Sequence, residues 1–199
     1  MNNIPKNEWI YNWGINSKNA EQLYNHILKT KPKIILETGT FEGQATYVMA
    51  NACNNNNNKC IIYTIDYNGD PTLELNKEKW LNLEKIRNNN LEKIKNDFKN
   101  VEVKFIEGDS REVLKTLFSN HNINNVDLFY QDSMHFIEGI QAEWNLVESY
   151  INTNSFVIFD DLSLKGVQKF RKWFINKYQN KYDYKDIKEG HKQFIVKKN

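Results

Sequence analysis

At 199 residues the chain has the length of one ordinary domain, and its regular patterning leaves no stretch free for a second, so residues 1–199 are read as a single domain. Hydrophobic residues make up 40% while the mean hydropathy is −0.73, a value pulled down by an excess of Asn and Lys rather than by a missing core. With 27 Lys and Arg against 25 Asp and Glu the formal net charge is +2, far from the concentrated basic field that long nucleic acid requires, so nucleic acid is disfavoured as a partner.

The first residues, MNNIPKNEWIYNWG, lack the apolar core of a secretion signal, and no apolar run approaches the roughly 18 residues of a membrane span. A cytoplasmic protein without a membrane partner is expected. Residues 1–17, carrying Trp9, Tyr11 and Trp13, are read as a lid. A helix follows, marked by Ala20, Leu23, Tyr24, Ile27 and Leu28 and stopped by Pro32. From Lys33 onward, five short β-rich runs alternate with helical patterns: KIILE, CIIYTID, VEVKFIEGD, VDLFYQD and SFVIFDD. That alternation predicts a parallel sheet covered by helices. The intervening helices carry apolar positions at Ala45, Val48, Met49 and Ala52; at Leu91, Ile94 and Phe98; and at Ile137, Ile140, Trp144, Val147 and Ile151. Another helix shows Leu164, Val167, Phe170, Phe174 and Tyr178, and then YDYKDI and KQFIVKK, joined at Glu189, Gly190 and His191, read as an antiparallel hairpin.

The expected fold is therefore α/β: a Rossmann-like, seven-stranded, mostly parallel sheet with helices on both faces and a C-terminal antiparallel hairpin. Two cysteines, Cys53 and Cys60, flank the Asn54–Asn58 run; they make no disulfide framework for a domain this size and are expected as reduced thiols around a surface loop. The polar stretch Asn68–Trp80 follows the second strand on the edge where open parallel sheets bind ligands, and is expected to cover part of the site.

The segment IILETGTFEGQAT runs a buried strand through a turn with Glu37, Thr38, Gly39, Thr40 and Gly43 into a helix. Glycine suits such a turn because a Cβ would forbid both its backbone angles and close approach of a ligand; a plain strand-to-helix turn is the alternative. The E-x-G-x-x-x-G spacing does not match the three-glycine loop of dinucleotide binders. It resembles instead the cofactor loop of class I S-adenosylmethionine-dependent methyltransferases. The resemblance implies that S-adenosylmethionine binds along three strand ends. Asp66, 29 positions after Glu37, would take the ribose hydroxyls, as an acceptor-only carboxylate can. Gly108, Asp109 and Ser110 would lie by the adenine, with Ser110 also a fair helix N-cap.

The fourth and fifth strands end in VDLFYQDSMH and SFVIFDDL. This pair resembles the metal-dependent O-methyltransferases, and within them the cephalosporin-hydroxylase-like and macrolide-sugar O-methyltransferase groups. The resemblance implies that Asp132, Asp160 and Asp161 hold Mg²⁺ through carboxylate oxygens, with Asp132 also at the cofactor, and that the metal lowers the pKa of the acceptor hydroxyl. His135 stands three positions after Asp132, where catechol-type relatives place a lysine base, and its ordinary pKa near 6.5 suits a general base. The competing readings are that His135 packs beside the next helix and that the acidic pair merely caps one. Lys165 and Arg171 are candidates to pair with a phosphate or carboxylate on the acceptor.

The function expected is O-methylation of a hydroxyl on a sugar, nucleotide-sugar or other small metabolite. The alternatives are a metal-independent methyltransferase acting on RNA or protein, and a non-catalytic cofactor-binding relative. A homo-oligomer is left open.

Overall fold

The computed structural model describes residues 15–67 and 77–199. The proposed lid, but for residues 15–17, and residues 68–76 of the polar stretch lie outside the described residues.

Helix α1 (Ser17–Thr30) starts at Asn16, whose side chain accepts the backbone N–H groups of Lys18 and Asn19, and ends with Lys31 in the left-handed region just before Pro32. Strand β1 (Ile34–Thr38), helix α2 (Gln44–Asn55), strand β2 (Cys60–Asp66), helix α3 (Lys77–Asp97) and strand β3 (Val101–Glu107) follow. Then come α4 (Ser110–Asn120), β4 (Val126–Gln131), α5 (Ile137–Val147), β5 (Ile151–Phe159), α6 (Lys165–Tyr178), β6 (Tyr182–Ile187) and β7 (Gln193–Lys198). The seven strands form one sheet in the order β3-β2-β1-β4-β5-β7-β6. The first five are parallel and β6 and β7 form the antiparallel hairpin, as the sequence patterns predict; β7 also runs antiparallel to β5, which those patterns did not specify.

Both faces of the sheet are buried, because neighbouring residues on a strand point to opposite sides. Ile35, Ile62, Leu128, Tyr130 and Ile158 join Leu23, Ile27, Met49 and Ile94 under α1, α2 and α3. Leu36, Tyr63, Phe129, Val157 and Phe159 join Leu114, Ile140, Trp144, Phe170 and Phe174 under α4, α5 and α6. Trp144 is fully buried, and its indole N–H donates to the Tyr178 hydroxyl at 2.9 Å. The asparagine run does structural work: α2 continues to Asn55, whose amide donates to the Tyr24 hydroxyl, and Asn56 donates to the Ile27 carbonyl, pinning the loop to α1.

Two expectations at element ends need correction. Ile151 is not the last apolar residue of the helix before it: α5 stops at Val147, a turn of 3-10 helix covers Glu148–Tyr150, and Ile151 opens β5 opposite Val126. Asn152–Asn154 then swing out to solvent, and the Ser155 hydroxyl, donating to the Val126 carbonyl at 2.6 Å, restores the pairing. Trp80 belongs to the first turn of α3 rather than to a loop.

Candidate active site

The C-terminal ends of the parallel strands form one edge, and the hydrogen bonding of the sheet continues one residue past the regular ladder. Gly108 N–H donates to the Asp66 carbonyl, Gly39 N–H to Ile65, Asp132 N–H to Thr38 and Asp160 N–H to Gln131, at 2.8 to 3.0 Å. Gly108, Asp66, Gly39, Asp132 and Asp160 are thereby laid side by side across β3, β2, β1, β4 and β5. The strand order reverses between β1 and β4, which is where an open parallel sheet leaves a crevice beyond its strand ends.

On the β1 side, Glu37 is fully buried. One of its oxygens accepts from the Thr46 hydroxyl at 2.5 Å, and the other, Oε1, has no well-aligned hydrogen bond among the described residues. Burial pushes its pKa up to about 7, against the smaller opposing effect of the hydroxyls. Thr38 and Thr40 are buried as well: Thr38 donates to Glu143 at 3.3 Å and Thr40 pairs with Thr64 at 2.5 Å. Gly43, at φ +78, precedes α2 and closes the turn by an N–H bond to the Thr40 carbonyl at 2.7 Å.

Gly39 sits at φ +91, and a Cβ there would lie 2.3 Å from the Asp132 carbonyl oxygen. The glycine is required by the approach of β4's own backbone, a reason the sequence reading, which looked only to a turn and a ligand, did not include. The Asp66 carboxylate accepts the N–H groups of Phe41 at 2.5 Å and of Tyr67 at 2.7 Å, with the Arg87 guanidinium 3.9 Å away. It thus braces the cofactor loop while remaining partly exposed at the crevice.

On the β3 side the N-cap of α4 is Asp109, not Ser110. The Asp109 carboxylate accepts from the Arg111 backbone at 2.9 Å and from its guanidinium, and that pairing holds its pKa below the usual carboxylate range. The Ser110 hydroxyl instead donates inward to Glu143. Glu143 is the residue that sequence reasoning missed. It is fully buried on α5 and accepts from Ser110, from Ser133 at 2.6 Å and from Thr38, so one carboxylate ties together the loops after β1, β3 and β4. Its position within the apolar stripe of Ile140, Trp144 and Val147 was the available signal, since an acid on a buried face must have partners.

On the β4–β5 side, Asp132, His135 and Asp161 converge. His135 Nε2 lies 3.6 Å from the Asp132 carboxylate and 3.2 Å from that of Asp161. Burial works to lower the His135 pKa, but the two carboxylates outweigh it and the result is about 10. The ordinary histidine pKa assumed from sequence does not apply to this arrangement: the two carboxylates favour the protonated imidazole. Asp132 is pushed well above the carboxylate range, first by burial and then by the Asp160 charge, while the His135 imidazole holds Asp161 below it.

Asp160 is buried, raised in pKa by burial, and accepts from the Tyr130 hydroxyl at 2.5 Å and the Asp161 N–H at 2.8 Å. Neither aspartate caps α6, whose N-cap is Leu164 with no side-chain bond. Asp132, His135 and Asp161 each offer a ligand atom within 4.8 Å of the others, and so do Asp160, Asp161 and His191. Arg171 is engaged elsewhere, 2.7 Å from Asp186 and over the Phe194 ring, whereas Lys165 is exposed at the start of α6.

Residues 36–162 match a family of methyltransferase domains. The chain belongs to that family. No curated protein matches the sequence. Among solved structures, an O-methyltransferase from Bacillus cereus in complex with SAH is 16% identical, with a TM-score of 0.67 over 92% of this chain and 81% of the other. The SAH-bound methyltransferase PaMTH1 from Podospora anserina is 15% identical, with a TM-score of 0.68 over 93% and 80%. CalS11, described as a TDP-rhamnose 3'-O-methyltransferase of calicheamicin biosynthesis, is 14% identical, with a TM-score of 0.66 over 92% and 81%. At these identities the likeness establishes the fold, which is that of the class I methyltransferases. Among the described residues, no helix is long and apolar enough to cross a membrane.

Proposed function

We propose that this methyltransferase transfers the methyl group of S-adenosylmethionine to a hydroxyl of a small molecule, with a divalent cation at the acceptor, and that residues 1–199 act as one cytoplasmic domain. The observation that carries the reading is the row of groups on one sheet edge: Glu37, Gly39, Asp66, Gly108 and Asp109 along β1–β3, adjoining Asp132, His135, Asp160 and Asp161 along β4–β5. A cofactor in the first half of that crevice would present its methyl group to an acceptor in the second, which is the proximity that methyl transfer needs. The SAH bound by two structural relatives, and the TDP-rhamnose named as the substrate of a third, support the cofactor and a sugar or nucleotide-sugar acceptor.

The donor set fits a cation. Asp132 and Asp161 meet beside His135, and Asp160 and Asp161 meet beside His191, so Asp161 links hard oxygen donors from two adjacent strand ends; burial and neighbouring carboxylates hold Asp132 and Asp160 high in pKa, and a divalent ion such as Mg²⁺ would relieve them. A bound cation would orient the acceptor hydroxyl and acidify it. In this reading His135 would take the proton of that hydroxyl. The role requires a neutral imidazole, which the His135 site reaches once its two carboxylate partners are neutralised.

Calorimetry with S-adenosylhomocysteine tests the cofactor half. Micromolar binding that Asp66→Ala weakens at least about tenfold is expected. An absence of binding at millimolar ligand would favour a relative that has lost the cofactor. Gly39→Val is a poor probe, because its Cβ would strike the Asp132 backbone before it met any ligand.

A further inference from the structure

The β6–β7 turn is an unexpected contributor to this edge. Because β7 runs antiparallel to β5, the turn before Gln193 arrives beside the end of β5, where Asp160 and Asp161 lie. It is held there from two sides. The Leu162 N–H donates to the Lys192 carbonyl at 2.6 Å, joining the turn to the loop after β5. On the other side, Asn19 clasps the His191 backbone, its amide donating to the carbonyl at 2.7 Å and its Oδ1 accepting the N–H at 2.8 Å. Asn19 is fully buried. Gly190 makes the clasp possible: it sits at φ +69, and a Cβ there would lie 2.1 Å from Asn19 Oδ1.

The consequence is a held backbone that sets the His191 imidazole beside the acidic pair. His191 Nδ1 stands 3.8 Å from Asp161 Oδ1, and ligand atoms of Asp160, Asp161 and His191 all fall within 4.8 Å of one another. A second observation at the same place points to a ligand. Gln193, 2% exposed, lies against the Asp160 carboxylate, and hydrogen bonding from its amide favours the charged form of that carboxylate. A ligating carboxylate is commonly oriented by an outer partner of this kind.

We propose that His191 completes the divalent-cation site with Asp160 and Asp161, giving it a nitrogen donor and a preference for a first-row transition ion over Mg²⁺. The inference deepens the proposed O-methyltransferase reading by naming the chemistry of its metal site. Magnesium favours oxygen ligands, whereas imidazole suits iron, nickel and zinc, so one nitrogen among carboxylates shifts the choice of ion. His135 reaches Asp161 from another element, so the experiment must tell the two imidazoles apart.

The test uses the untagged full chain and Co²⁺, a paramagnetic ion between Fe²⁺ and Ni²⁺ in the affinity order. Calorimetry should show Co²⁺ binding at least about tenfold tighter than Mg²⁺. Proton NMR of the Co²⁺ form should show strongly shifted imidazole ring signals. His191→Ala should remove those signals and weaken Co²⁺ at least about tenfold, since outer-sphere changes alone often cost that much. His135→Ala should keep shifted signals that belong to His191. Gly190→Ala, which retains the imidazole but displaces the turn, should also weaken Co²⁺. Shifted signals that survive His191→Ala, or equal affinity for Co²⁺ and Mg²⁺, would overturn the proposal. Binding of S-adenosylhomocysteine, measured on the same samples, reads the methyltransferase assignment independently.

Discussion

Replacing Glu37 by glutamine should remove a pH dependence of stability that the wild-type chain carries. The Glu37 carboxyl is fully buried and its folded-state pKa is raised to about 7 from 4.5. Between those values the folded state holds the proton and the unfolded chain releases it. The contribution is therefore most favourable below pH 4.5 and is lost as pH rises through 7. Worked from those two pKa values, the cost is about 1 kcal/mol or less at pH 5 and about 3 kcal/mol at pH 8. Asp132, Glu143 and Asp160 titrate in the same direction, so wild type alone cannot isolate Glu37. The measurement is urea unfolding of wild type and Glu37→Gln at both pH values, taking the difference of differences. The glutamine carbonyl can still accept from Thr46, so the variant should fold. Relative to wild type it should gain about 2 to 3 kcal/mol between pH 5 and pH 8. A gain under about 0.5 kcal/mol would mean that the carboxyl is solvated or paired in solution, and the reasoning from its burial would fail.

Gly39→Ala should destabilise the fold by roughly 3 to 5 kcal/mol, from left-handed backbone strain and the clash with Asp132, read as a lowered urea midpoint; a change under about 1 kcal/mol would refute the close approach. A divalent ion at about 100 times its dissociation constant should stabilise the chain by about 2.7 kcal/mol, raising the melting temperature by roughly 5 to 10 °C. The Asp160→Asn, Asp161→Asn double variant should lose that response, and one that keeps it would remove the ion from these residues. Once an acceptor is known, His135→Ala should lower kcat by about 10² to 10⁴ with little change in cofactor affinity. A loss under about tenfold would leave His135 an orienting residue.

Much of this fold was legible because its signals are local. Each of the five parallel strands is a short β-rich run, and Pro32 and the apolar spacing of α1 and α6 mark helices through chemistry contained in a few residues. The end of α5 was misplaced because Ile151 continues a helical period by coincidence; only its pairing with Val126 across the sheet assigns it to β5. Asp109 took the cap expected of Ser110 because Glu143, 33 residues further on, draws the serine hydroxyl inward.

The candidate site divides in the same way. Residues that end strands, such as Asp66, Asp132 and Asp160, are visible from strand limits alone. The raised pKa of His135 was hidden because it depends on Asp161, which follows another strand. His191 was hidden because its place depends on β7 running antiparallel and on the grip of Asn19, 172 residues away in sequence. Arg171 looked free for an acceptor until β6 brought Asp186 against it.

A crystal structure of the chain grown with S-adenosylhomocysteine tests the central claim most directly. The account predicts density for the ligand along the ends of β1, β2 and β3, with its ribose at Asp66 and its sulfur turned toward Asp132. Ligand bound on any other face, or a crevice occupied by protein side chains with saturating ligand present, would contradict it.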